Sequence, residues 1–136
     1  FSAIFFKKNN FELIEKGDFW LSTSPDKPGK GWDARINRIC TWVKLKEKHH
    51  GKTFFVFNVH FDHEGYVARR ESSKLILQKI QAIALNSPVV LTGDFNGDHS
   101  SDWYKTIQAS ATLKDAYILD DIFGSDHCPI GLEIEI

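Results

Sequence analysis

The residue pattern predicts an α/β fold: a mixed β-sheet with helices on one face. Three observations carry this. Apolar runs with strand-like alternation fill much of the first half of the chain. Between Glu64 and Leu85 the apolar period changes to that of a helix. After Pro88 the run "VVLTG" returns to strand character, a short helical stretch follows, and the chain closes on the alternating "CPIGLEIEI".

Taken in order, strand-like segments fall at 3–8 ("AIFFKK"), 11–22, 38–48 and 52–61. The Pro-, Gly- and Lys-rich stretch "TSPDKPGKGWDARIN" between the second and third predicts a loop. "HHGK" joins the third and fourth as a hairpin, with Ile39, Thr41, Val43 and Leu45 on one face and Cys40, Trp42, Lys44 and Lys46 on the other. His49 and His50 then belong to a solvated turn. A helix over 64–85 turns Val67, Leu75, Ile76, Ile80, Ile83 and Ala84 inward. A second, over 100–110, starts at Ser100 or Ser101 and buries Trp103, Ile107 and Ala111. The predicted order is β-β-β-β-α-β-α-β.

With 136 residues, 42% hydrophobic and 26% charged, the sequence is expected to form one domain with a real core. A net charge of -1 argues against a generally basic nucleic-acid-binding surface, while leaving room for a local basic groove. The apolar runs are too short to span a membrane, and no signal peptide opens the chain. It begins at Phe1 and has no Met, which reads as an internal piece or a processed product; localisation is therefore not legible. Cys40 and Cys128 lie in apolar surroundings and read as small core residues, without the spacing of a zinc site.

Polar residues gather at three strand ends. "FNVHFDH" places Asn58, His60 and Asp62 opposite Phe57, Val59 and Phe61; "GDFN" supplies Asp94 and Asn96, which at strand spacing share a face and converge on one point; "GSDHCPI" places Asp126 and His127 before the last strand. Each cluster alone has a plain structural explanation: Asn58 as a strand amide bonded to backbone, His60 as a hydrogen-bonded histidine, the Asp-His pair as a turn. Together they are costly to bury unless they serve one another or a cation. The chemistry they suit is phosphate ester hydrolysis. Mg²⁺ takes one or two carboxylates plus water and phosphate oxygens. His and Asn donate to developing phosphoryl charge, and Asp or His accepts a proton from the attacking water. A Ser-His-Asp hydrolase is disfavoured, because no serine stands in a glycine-flanked elbow.

"NVHFDH", "LTGDFN" and "SDHCPI", in this order, resemble motifs of the endonuclease/exonuclease/phosphatase superfamily of metal-dependent phosphoesterases. "FWLSTSPDKPGKGWDARINRICTW" is similar to the family's loop leading to an arginine-containing strand, and "ARRESSKLILQKI" to the helix after its histidine strand. The resemblance implies that His60 contacts the scissile phosphate, Asp94 orients or deprotonates the water, and Asn96 donates to the phosphate. It further implies that Asp126 helps bind metal and His127 contacts the phosphoryl group. Arg38 and Asp62 match frequent positions, either as a phosphate contact and a group behind it or as a surface ion pair. Asp120, in "LDDIF", best fits the aspartate of a strand that the family places before its Ser-Asp-His motif.

The implied ancestor is a four-layered α/β-sandwich, of which residues 1–136 correspond to the later part with a shortened end. The family's metal-binding glutamate lies in the earlier part, and Glu12 and Glu15 do not stand in its context. The expected activity is Mg²⁺-dependent phosphoesterase chemistry, with Mn²⁺ as a substitute, on nucleic acid or a small phosphorylated molecule. A degenerate phosphate-binding domain and a structural fragment are the competing readings. A half-sandwich also predicts self-association or pairing with the other half, through a sheet face carrying Phe5, Phe55, Phe57 and Val59.

Overall fold

The computed structural model describes residues 2–110, 117–118 and 130–131. Its elements run β1 (Phe11–Trp20), β2 (Ile39–Glu47), β3 (Thr53–His60), α1 (Tyr66–Ala84), β4 (Val89–Asp94), α2 (Asp102–Gln108), β5 (Tyr117–Ile118) and β6 (Ile130–Gly131). The sheet order is β1-β2-β3-β4-β6-β5. β1, β2 and β3 form an antiparallel meander, the crossover through α1 makes β4 parallel to β3, and β6 returns antiparallel against β4. The sheet is thus mixed, as expected.

The expected strand at 3–8 is not formed. These residues cross the sheet without pairing as a strand; Ser2 Oγ donates to the Ile39 carbonyl and Asn58 Nδ2 to the Ala3 carbonyl. Ile4 and Phe6 pack on a small cluster of Val43, Leu45 and Phe54. Alternation alone cannot distinguish a ladder strand from an extended segment lying on a sheet, and that ambiguity produced the error.

The main core lies on the other face. Phe55, Phe57 and Val59 of β3 and Leu91 of β4 are buried with Cys40 and Trp42 against Ile76 and Ile80 of α1 and Trp103 and Ile107 of α2. The expectation that Phe55, Phe57 and Val59 await a partner is therefore corrected: helices cover them. Phe5, by contrast, is 92% exposed.

The inward stripe of α1 is Ala68, Ser72, Ile76, Ile80 and Ala84, with Ser73 beside it. Val67, expected inward, is exposed, while Leu75 and Ile83 are partly buried at the margin. The small residues Ala68, Ser72 and Ser73 let the first turns approach the protein closely. A hydrophobicity count passes over serines. Ser73 Oγ satisfies itself by donating to the Arg70 carbonyl.

Helix α1 begins without a cap of its own. Its N-cap is Gly65, and Asp33, distant in sequence, accepts the Val67 and Ala68 N–H groups at 3.1 and 2.7 Å. A Cβ at residue 65 would lie 2.7 Å from Asp33 Oδ1 and 2.8 Å from its carbonyl oxygen, so glycine makes room for the borrowed cap. In α2, Ser101 occupies the N-cap, but its hydroxyl donates to the Asp98 carbonyl. Trp103 and Ile107 are inward as expected, joined by Tyr104; Ala111 lies outside the described residues. Cys40 is fully buried, and burial pushes its thiol pKa up; Cys128 lies outside the described residues. Among the described residues, no helix is long and apolar enough to cross a membrane.

Candidate functional site

The parallel pairing of β3 with β4 runs from Phe55↔Val89 to His60↔Asp94, so these two polar residues end adjacent strands at the same edge. Carboxyl ends of parallel strands are where open α/β sheets place ligands. His60 Nε2 lies 3.4 Å from Asp94 Oδ2, with the imidazole 44% and the carboxylate 23% exposed. The approach depends on Gly93, which pairs with Val59 and has φ of 146°. A Cβ there would come within 2.1 Å of the Val59 carbonyl oxygen. The glycine is thus part of β4, which continues through it to Asp94.

Asn96 joins the pair by a different route from the one expected. β4 ends at Asp94, and Asn96 has φ of 45°, a left-handed conformation that asparagine tolerates. Its backbone N–H donates to Asp94 Oδ1 at 2.9 Å and its Nδ2 to the Phe61 carbonyl at 2.9 Å. The Phe61 N–H in turn donates to the Asp94 carbonyl at 2.8 Å. A side-chain turn, not strand alternation, brings Asp94 and Asn96 together. Nδ2 carries two hydrogens, and the bond to Phe61 uses one. Asp126, His127 and Asp120 lie outside the described residues.

Asp62 does not share His60's solvent-facing role. Its carboxylate is buried, accepting N–H bonds from Arg35, Ile36, Glu64 and Gly65 at 3.0–3.4 Å. Burial alone would raise its pKa; the backbone donors outweigh that and hold it far below the usual carboxylate range. Arg38 Nε stands 3.5 Å from Asp62 Oδ1 and Nη2 donates to His63 Nδ1 at 3.0 Å. The ion pair anticipated between them exists, but inside the protein rather than on its surface. Asn58 is structural: besides donating to Ala3 it accepts from Thr92 Oγ1. His49 and His50 occupy the β2–β3 turn, with both backbone N–H groups donating to Glu47.

An open groove of about 350 Å³ extends from Asn96, lined also by Tyr66, Gly97, Asp98, Asp102 and Trp103. Tyr66 packs edge-on to Trp103 and donates to Asp102 Oδ2 at 2.5 Å, a bond that raises the phenol pKa. Sequence reasoning missed Tyr66. An aromatic beginning the helix that follows the histidine strand was the available signal. Among the described residues, no three His, Cys, Asp or Glu side chains group as a cation cage. Asp94 offers one carboxylate, which suits an ion held largely by water and phosphate oxygens.

No family model matches this sequence. An endonuclease/exonuclease/phosphatase family protein from Bacteroides thetaiotaomicron is 45% identical, with a TM-score of 0.74 over 76% of this chain and 38% of that one. A mannosyl-6-phosphatase from the same organism is 30% identical, with a TM-score of 0.79 over 96% of this chain and 69% of that one. An uncharacterized protein of Acanthamoeba polyphaga mimivirus is 35% identical over 102 residues, 71% of this chain and 38% of the relative. The chain thus spans well under half the length of the mimivirus relative and of the first Bacteroides structure.

Proposed function

This chain belongs to the endonuclease/exonuclease/phosphatase family, and from that membership we propose that it carries the later part of a Mg²⁺-dependent phosphatase acting on a small phosphorylated sugar. The observation that carries the proposal is the His60–Asp94 pair at the carboxyl ends of two parallel strands. Asp94, with Oδ1 accepting the Asn96 N–H and Oδ2 beside His60 Nε2, is the carboxylate that would orient a water molecule or accept its proton. His60 and the remaining Asn96 Nδ2 hydrogen donate to phosphate oxygens as charge develops on them. Asp126 would help hold Mg²⁺, or Mn²⁺ in its place, which would supply counter-charge to those oxygens.

Two observations favour a small sugar phosphate over nucleic acid. A relative that this chain covers over 69% of its length is a mannosyl-6-phosphatase. The groove beyond Asn96 is lined by Asp98 and Asp102, which repel a phosphodiester backbone, whereas carboxylates and aromatic rings suit hydroxyl-rich ligands.

The test is hydrolysis by the full-length protein of hexose 6-phosphates against single-stranded DNA and RNA, with Mg²⁺ or a chelator. Sugar phosphate turnover that the chelator abolishes is expected. Asp94→Asn should lower the rate by about a hundredfold or more and His60→Ala by about a hundredfold, with His49→Ala unchanged. Turnover insensitive to Asp94→Asn would overturn the assignment of the site. Phosphate binding without turnover would favour a degenerate binding domain.

A further inference from the structure

The exit of β3 is held by a device that the hydrolytic chemistry does not itself require. Directly after His60 and Phe61, the Asp62 side chain, 2% exposed, gathers N–H groups from two separate loops: Arg35 and Ile36 on one side, Glu64 and Gly65 on the other. Its main-chain carbonyl accepts from Arg69 Nη1 at 3.0 Å, and the same guanidinium lies 4.6 Å from the Trp103 ring centroid. The neighbouring Phe61 supplies both of its main-chain groups to the site, donating its N–H to the Asp94 carbonyl and accepting Asn96 Nδ2 at its own. Its ring is fully buried edge-on to Phe95, 5.0 Å between centroids.

We propose that Asp62 is a positioning residue of the site, whose buried carboxylate fixes the path of residues 60–65 and through Phe61 holds Asn96 and Asp94 in register with His60. It touches no reacting atom. The inference rests on the functional reading above for its catalytic consequence, though not for its geometry. Four N–H donors converge on one carboxylate, and no neutral side chain of that size accepts from all of them. Asparagine would present an NH₂ group to N–H groups already pointing inward, leaving buried donors without acceptors.

Asp33 provides the matched comparison. It fastens the same loop, residues 31–38, to α1 through Val67 and Ala68, whereas the bonds that hold Phe61 and Asn96 are made elsewhere. A purely structural role for Asp62 predicts that Asp62→Asn and Asp33→Ala act alike, each lowering stability and loosening the site in proportion. A positioning role predicts that they differ.

The experiment is amide hydrogen exchange by NMR on the full-length protein, read at the Phe61 N–H and the Asn96 side-chain amide against the β2–β3 ladder. In Asp62→Asn, protection at those two groups is expected to fall by at least about tenfold more than in the ladder. In Asp33→Ala the melting temperature falls while the relative protection stays as in the wild type. If Asp62→Asn does not fold, Asp62→Glu, which keeps the charge but displaces it by one methylene, should give the same selective loss. Equal loosening in the Asp33 and Asp62 variants, or unchanged protection at Phe61 and Asn96, would overturn the proposal. In turnover assays Asp62→Asn should lower kcat with KM within about twofold of wild type, and Asp33→Ala should leave kcat unchanged. Absence of hydrolysis in the wild type counts against the functional reading alone, because the exchange measurement judges the positioning role directly.

Discussion

Asp62 carries its charge inside the protein, and its stability contribution depends on pH in a direction set by its hydrogen bonds. The folded-state pKa lies below that of the unfolded chain, so the contribution is complete above the unfolded value near pH 4 and is lost as the pH falls toward the folded one. At pH 7, Asp62→Asn should cost about 3 kcal/mol, the scale of breaking a buried charged network. Urea unfolding at pH 7 and pH 3 should show the gap between variant and wild type narrowing at the lower pH. A gap of constant size would show that the stabilising groups do not distinguish carboxylate from carboxamide. At this scale the sequence marked His60, Asp94 and Asn96 as a cluster and the structure brings them together. It left Asp62 undecided, because a carboxylate two residues past a histidine reads alike whether solvent or four backbone N–H groups surround it.

Elements were legible where their period was long and clean. β2, β3, β4 and α1 fall close to the expected bounds, since alternation and helical spacing persist through each. The start of α1 was not legible in mechanism: its N-cap is a glycine with no side chain to accept the first N–H groups, and the acceptor is Asp33, across a loop. Gly65→Ala tests this arrangement. Its methyl group would press on Asp33, including the backbone, and should destabilise the protein by about 2 kcal/mol in urea unfolding. Were the borrowed cap unimportant, the substitution would cost little, because alanine is otherwise acceptable at a position with φ of -68°.

Across the whole molecule, the sheet is apolar on both faces, and only packing shows which face the helices take. The larger cluster, built on Phe57, lies under α1 and α2; the smaller, built on Val43, Leu45 and Phe54, lies under residues near the start of the chain. Phe57→Ala should therefore cost about 4 kcal/mol through the cavity it leaves. Phe5→Ser, at a side chain 92% exposed, should change stability by less than about 0.5 kcal/mol. Thermal unfolding of the two variants side by side checks the assignment of the faces, and comparable losses would reverse it.

The sequence by itself determined the fold class and the family likeness, and it pointed to His60, Asp94 and Asn96 as candidates, because periodicity and short motifs are local properties of the chain. Only the tertiary structure decided how those residues meet. The His60–Asp94 approach requires the parallel β3–β4 register and a glycine at 93; Asn96 arrives through a left-handed turn; Asp33 and Asp62 find their donors across loops. Apart from the local Asp94–Asn96 turn and the Glu64 and Gly65 donors to Asp62, these contacts join residues far apart in the chain. Their free energy comes from satisfying backbone N–H groups that close packing has removed from water, and that packing exists only once the sheet and helices have come together.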